Sequence, residues 1–161
     1  MNLPPPLAAV PAPTGYSIED VPTTAFWCGM RVPNTGVSPE VPHVNNAEYV
    51  RWVDRAAELA VDSVGHTRQA MLAANRMWFV VRHELDYRAE CFVDEDVLVA
   101  TWVHSHTQTT SLRETRIVRT HDGKPILTAT TRWAYINLET RRPARIPREL
   151  LSLVCANDGA S

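Results

Sequence analysis

The sequence predicts an α+β fold in which one long helix is wrapped by an antiparallel sheet. Three observations carry this. Only the stretch from Asn45 to Gly65 keeps a helical apolar period over several turns. From Met77 onward the chain reads as long alternating strands rich in Val, Thr, Trp and Tyr. The last two of these are joined by His121-Asp122-Gly123-Lys124, an Asp-Gly hairpin signal. A lone helix followed by a meander of strands, apolar on both faces, has to supply the core around which the sheet curls.

The chain has 161 residues and a net charge of -2, enough for one domain with a sizeable core. Both signs of charge are spread along it, so neither a nucleic-acid stripe nor a polybasic membrane patch is expected. No apolar run approaches the roughly 20 residues of a membrane span. Residues Met1 to Pro13 lack a basic start and are broken by Pro4, Pro5, Pro6, Pro11 and Pro13, unlike a secretory signal. Cys28, Cys91 and Cys155 are odd in number and have no metal-ligand spacing, so buried thiols in a reducing cytoplasm are expected. His104 and His106 alternate on a strand, but no third ligand accompanies them. No metal or cofactor is expected.

In order, residues 1–22 read as a Pro-rich flexible tail, with Tyr16 and Ile18 resting on the domain. Residues 23–154 form a single domain, and 155–161 a C-terminal tail. A first strand covers Thr24 to Val32, and Pro33-Asn34-Thr35-Gly36 turns the chain. Pro39 and Pro42 keep the backbone out of helix until His43. Asn45 is the expected N-cap, with Glu48 completing a capping-box variant. Tyr49, Val53, Ala56, Ala57, Ala60 and Val64 share the buried face, and Gly65 stops the helix. A helical turn follows at Arg68 to Ala74. Strands then cover Met77 to Glu90, Val97 to His106, Ser111 to Thr120 and Pro125 to Leu138. In the first of these, Phe79, Val81, His83, Leu85 and Tyr87 alternate against Trp78, Val80, Arg82, Glu84 and Asp86. Arg148 to Val154 closes the chain as a short helix.

Several motifs occur in a telling order. His43-Val44-Asn45-Asn46, then Tyr49, opens the helix. Leu85-Asp86-Tyr87 lies in the next strand and Asp94-Glu95-Asp96-Val97 precedes the following one. Thr140-Arg141-Arg142-Pro143-Ala144-Arg145-Ile146-Pro147 comes last. Over about residues 24–150 this resembles the hotdog-fold acyl-CoA thioesterases, most closely the 4-hydroxybenzoyl-CoA thioesterase-like branch. The resemblance implies a five-stranded antiparallel sheet around the central helix, and homodimers that pair sheets edge to edge, often as dimers of dimers. It also implies an acyl-thioester site at the dimer interface, with the thioester carbonyl at the helix N-terminus. The family's loop Asp falls four residues before His43, where this chain has Pro39; its loop acid is Glu40.

Hydrolysis of an acyl-CoA or acyl-carrier-protein thioester needs oxyanion donors, an attacking carboxylate or water, and a hold on the carrier. The backbone N–H groups of Asn46 and Ala47 are the candidate donors. Glu40 is the candidate nucleophile or base, and His43 a base or positioning group. Asn45, Tyr49 and Asp54 are candidate substrate contacts, Asp54 as a water-orienting group. By resemblance, Thr109, Thr110, Ser111 and Arg113 border the pantetheine channel, where cations meet CoA phosphates. Two alternatives stay open. Pro39 in place of Asp is compatible with a protein that binds acyl-thioesters without cleaving them. Glu40 with His43 loosely matches a hydratase pair.

Overall fold

The computed structural model describes residues 3–155. The expected C-terminal tail, apart from Cys155, lies outside them. The strands are β1 (Ala8–Ala9), β2 (Phe26–Arg31), β3 (Arg76–Tyr87), β4 (Asp96–His106), β5 (Thr110–Arg119) and β6 (Pro125–Asn137). They form one antiparallel sheet in the order β1-β2-β4-β5-β6-β3. The helices are α1 (Asn46–Asp62), α2 (Arg68–Ala73) and α3 (Arg148–Val154).

The long helix packs on one face of the sheet, as its apolar stripe requires. Tyr49, Trp52, Val53 and Ala56 of α1 share a core with Val97, Val99, Ile117, Leu127 and Ala129. Ile117, Ile126 and Leu127 are fully buried, each stabilising the fold by about 1.5–3 kcal/mol relative to exposure. Small Ala56, Ala57 and Ala60 let the sheet approach closely. A second cluster, Met71, Tyr135, Ile146 and Leu150, joins α2 and α3 to the sheet. Beyond Ser63, Gly65 takes φ +81 and His66 N–H bonds to the Val61 carbonyl at 3.0 Å.

Three local expectations are corrected. The sheet has six strands, not five, because the N-terminal segment is not wholly a loose tail. Residues 7–10 are a proline-free apolar run; Leu7 is buried, Ala8 and Ala9 pair with Gly29 and Cys28, and Val10 N–H reaches the Trp27 carbonyl. This covers the edge that β2 would otherwise expose. Tyr16 rests on the Asp122-Gly123 turn, as expected: a Cβ at Gly123 would lie 2.8 Å from its ring.

The capping box does not form. Asn45 is the N-cap, but its side chain makes no cap bond, and Glu48 turns to Arg51 at 2.9 Å instead. The strict alternation along β3 also fails. A bulge at Val81 shifts the register between Val80 and Arg82. Val80 pairs with Trp133 before it, and His83 and Leu85 pair with Thr131 and Ala129 after it. Even-numbered residues therefore face α1 before the bulge and odd-numbered ones after it. Phe79 and Val81 do not share the face of His83.

Candidate active site

The loop before α1 is held on both sides. Val37 bridges Val44, and His43 bridges Phe92. Val44 N–H bonds to the Cys91 carbonyl at 2.9 Å, and Asn45 N–H to the Gly36 carbonyl at 2.8 Å. Gly36 sits at φ +75, where a Cβ would lie 2.2 Å from Glu48 Cγ, so only glycine lets the turn lie against the first helical turn. Tyr87 Oη donates to the Asn46 carbonyl at 3.0 Å. These ties place His43 opposite the chain that leaves β3, with Nδ1 3.1 Å from Glu90 Oε1. The first N–H groups of α1, at Asn46 and Ala47, have no acceptor among the described residues. The carboxylate–imidazole pair thus sits on the loop that leads, three residues after His43, into the unpaired donors at the positive end of the helix dipole.

Glu90 escaped the sequence reading because 47 residues separate it from His43. Its one available signal was its place just after the Leu85-Asp86-Tyr87 motif. Glu40 does not join His43 in the same way. It is exposed, accepts from Ser38 Oγ at 2.7 Å, and is held below its ordinary pKa chiefly by that bond. Tyr49 is a core residue, its ring 4.9 Å from Trp52 and 5.4 Å from Tyr87. Burial pushes its hydroxyl pKa upward. Thr110 serves the β4–β5 turn, with Oγ1 2.8 Å from Thr107 Oγ1.

Asp54, Ser111 and Arg113 come together around a cavity of about 330 Å³ beside the middle and end of α1. Its apolar walls include Ala57, Val61, Met71, Trp78, Trp133, Ile146 and Leu150. The alternation of β5 turns Ser111, Arg113, Thr115 and Ile117 inward. Arg113 is therefore a buried group, not the surface cation expected for CoA phosphates. Burial lowers its guanidinium pKa to about 10, against a partial opposing effect from Cys155. Its Nη1 donates to Thr101 Oγ1 at 3.3 Å. On the α1 side, Asp54 Oδ1 faces His83 Nε2 at 3.4 Å, and His83 Nδ1 lies 2.8 Å from Thr131 Oγ1. Burial raises the Asp54 pKa, and His83 opposes that shift. Neither His83 nor Thr131 was singled out in the sequence: the Val81 bulge decides which face His83 takes and so brings it opposite the inward Thr131 of β6.

Among the described residues no group of three His, Cys, Asp or Glu side chains is placed to hold a metal. No helix among them is long and apolar enough to cross a membrane.

Comparison with known proteins bears on this arrangement. Residues 40–154 match the family model of the thioesterase-like superfamily. An acyl-[acyl-carrier-protein] hydrolase, chloroplastic, of Cuphea viscosissima is 28% identical over 89 residues, 55% of this chain and 21% of that protein. The chain thus spans about a fifth of the length of that curated relative. A 1,4-dihydroxy-2-naphthoyl-CoA thioesterase from Synechocystis superposes with a TM-score of 0.77 at 16% identity, covering 84% of this chain and 99% of that one. A Staphylococcus aureus protein solved in complex with CoA gives a TM-score of 0.77 at 15% identity, covering 82% of each chain. The 12:0-ACP thioesterase of Umbellularia californica gives 0.69 at 18% identity, covering 84% of this chain and 54% of that one. These structures share its α+β hotdog fold, and by the match over residues 40–154 the chain belongs to the thioesterase-like superfamily.

Proposed function

We propose that this protein hydrolyses an acyl thioester carried by CoA or by an acyl-carrier protein. The observation that carries the reading is the His43–Glu90 pair on the loop that opens α1, whose first N–H groups at Asn46 and Ala47 are unpaired among the described residues. With Glu90 accepting from Nδ1–H, His43 Nε2 holds the lone pair and takes a proton from water. The resulting hydroxide attacks the thioester carbonyl. The oxygen of the tetrahedral intermediate gains its negative charge at the start of α1, where the backbone donors and helix dipole stabilise it. Collapse breaks the C–S bond, and the thiolate leaves and takes up a proton. Glu40 accepts from Ser38 and not from His43, and is held below its ordinary pKa, so we assign that role to the His43–Glu90 pair.

The names of the similar proteins support both carriers: an acyl-carrier-protein hydrolase by sequence, and a CoA thioesterase and a CoA complex by fold. The working unit we infer is a homodimer or a dimer of dimers. β3 is a sheet edge with exposed Phe79, Val80 and Val81, which a second copy would cover. Buried Cys28 and Cys91, both thiols, suit a reducing cytoplasm.

The test is release of thiol from an acyl-CoA panel, acetyl to palmitoyl with benzoyl and phenylacetyl, and from the matching acyl-carrier proteins. Release above background with one carrier supports hydrolysis and names the carrier. A second reading, binding without cleavage, has Pro39 in its favour, since it stands where the family has its loop Asp. Folded dimers that bind acyl-CoA and release no thiol from any substrate would establish that second reading.

A further inference from the structure

The cavity beside α1 contains a cation that the proposed hydrolysis does not use. Arg113 is 5% exposed and lines that cavity. A guanidinium has five N–H donors in a planar fork suited to a carboxylate. Here one donor reaches the Thr101 hydroxyl, Cys155 acts on the guanidinium electrostatically, and among the described residues no carboxylate forms an ion pair with Arg113. Of the acids on the same cavity, Glu58 pairs with Arg55 at 2.6 Å, while Asp54 approaches His83 at 3.4 Å with its buried Oδ1 making no hydrogen bond among the described residues. Two other cavity-lining residues, Trp78 and Trp133, have buried indole N–H groups with no acceptor among the described residues. Buried donors in this number are expected to have acceptors, and a buried charge an opposite charge.

We propose that the acyl group bound in this cavity carries a carboxylate, and that Arg113 is the residue that receives it. The substrate class is then the half-thioester of a dicarboxylic acid, with its apolar methylenes against Ala57, Val61 and Met71 and its free carboxylate at Arg113. A simple fatty acyl chain would bring no carboxylate to the guanidinium, which pairs with none among the described residues. The choice of acyl group rests on the thioesterase reading; the anion site does not.

The experiment uses the full chain with matched pairs of equal length, suberyl-CoA against octanoyl-CoA and adipoyl-CoA against hexanoyl-CoA. In the wild type, kcat/KM for at least one ω-carboxyl substrate should exceed its plain partner by at least about tenfold, the discrimination expected of a site built for a charged group. Arg113→Met should bring that ratio near one. Arg113→Lys, which keeps charge but loses the fork, should leave an intermediate ratio. Plain substrates preferred or equal in the wild type, or a ratio untouched in Arg113→Met, would overturn the proposal. Suberate and octanoate are also tested as free acids by shift of the melting temperature. A shift with suberate and not with octanoate, alongside no thiol release from any substrate, keeps the anion site and removes the hydrolase reading. No selective shift and no selective turnover removes the anion site, even if neither Arg113 variant folds.

Discussion

His43 Nδ1 and Glu90 Oε1 lie 3.1 Å apart although 47 residues separate them in the chain. The two are joined because the loop before α1 is bonded to residues 91 and 92 just beyond β3. As an acceptor for Nδ1–H, Glu90 would orient the imidazole and fix the tautomer that leaves Nε2 free to take a proton. Glu90→Gln should therefore lower kcat by about 10²-fold or more, the usual size of general-base effects. Adding His43→Ala should cost little further, because paired groups act as a unit. Steady-state kinetics of Glu90→Gln beside Glu40→Gln ranks the two carboxylates. The larger loss is expected at Glu90; a larger loss at Glu40 would return the base to the loop acid.

Asp54 offers a stability test with a sign. Burial is the main cause that raises its pKa above the ordinary 3.8, while His83 pulls it down. A carboxyl with a raised folded pKa binds its proton more tightly in the folded state. Its stabilising contribution is complete below the unfolded pKa and is lost as pH rises through the folded one. Asp54→Asn removes that loss, so at pH 7 the variant should melt higher than the wild type. The advantage should shrink as pH falls toward the ordinary Asp value. Melting curves by circular dichroism across this range check it, and a difference independent of pH would contradict the assignment. If Asp54 also orients water or substrate, turnover falls while stability rises.

The helix and the four long strands were legible because period and turn chemistry are local properties. Most of the apolar face of α1 was read from spacing, though Trp52 also lies on it and Val64 falls beyond the helix end, and the Asp122-Gly123 turn was read from its dipeptide. What was not legible depends on partners. One unpaired residue at Val81 reverses the parity of β3, and nothing in the alternation announces it. The added strand at Ala8–Ala9 exists only because β2 offers an edge. At the site, the role of Asn46 and Ala47 needs only a helix start, so it could be anticipated. Glu90 depends on a long-range contact, and Arg113 became a buried cation only once β5 had a definite inward face.

Gly36 tests how the site's entry loop is held. Its carbonyl accepts the Asn45 N–H, its φ is +75, and a Cβ would lie 2.2 Å from Glu48 Cγ and 2.4 Å from Glu48 Cδ. Gly36→Ala therefore meets two separate penalties. One is the left-handed backbone, on the order of 1–3 kcal/mol for a residue with a Cβ. The other is the collision with Glu48, which relaxes if that side chain is shortened. Urea unfolding of Gly36→Ala, Glu48→Ala and the double variant separates them. The single glycine variant should lose the most stability. The double variant should recover the steric part only, staying below Glu48→Ala by the backbone cost. Equal stability of the double variant and Glu48→Ala would mean that the backbone at Gly36 is not strained. Because Gly36 also fixes Asn45 at the head of α1, kcat of the glycine variant should fall even where the protein is fully folded. Addition of Glu48→Ala should restore kcat in proportion to the stability it restores.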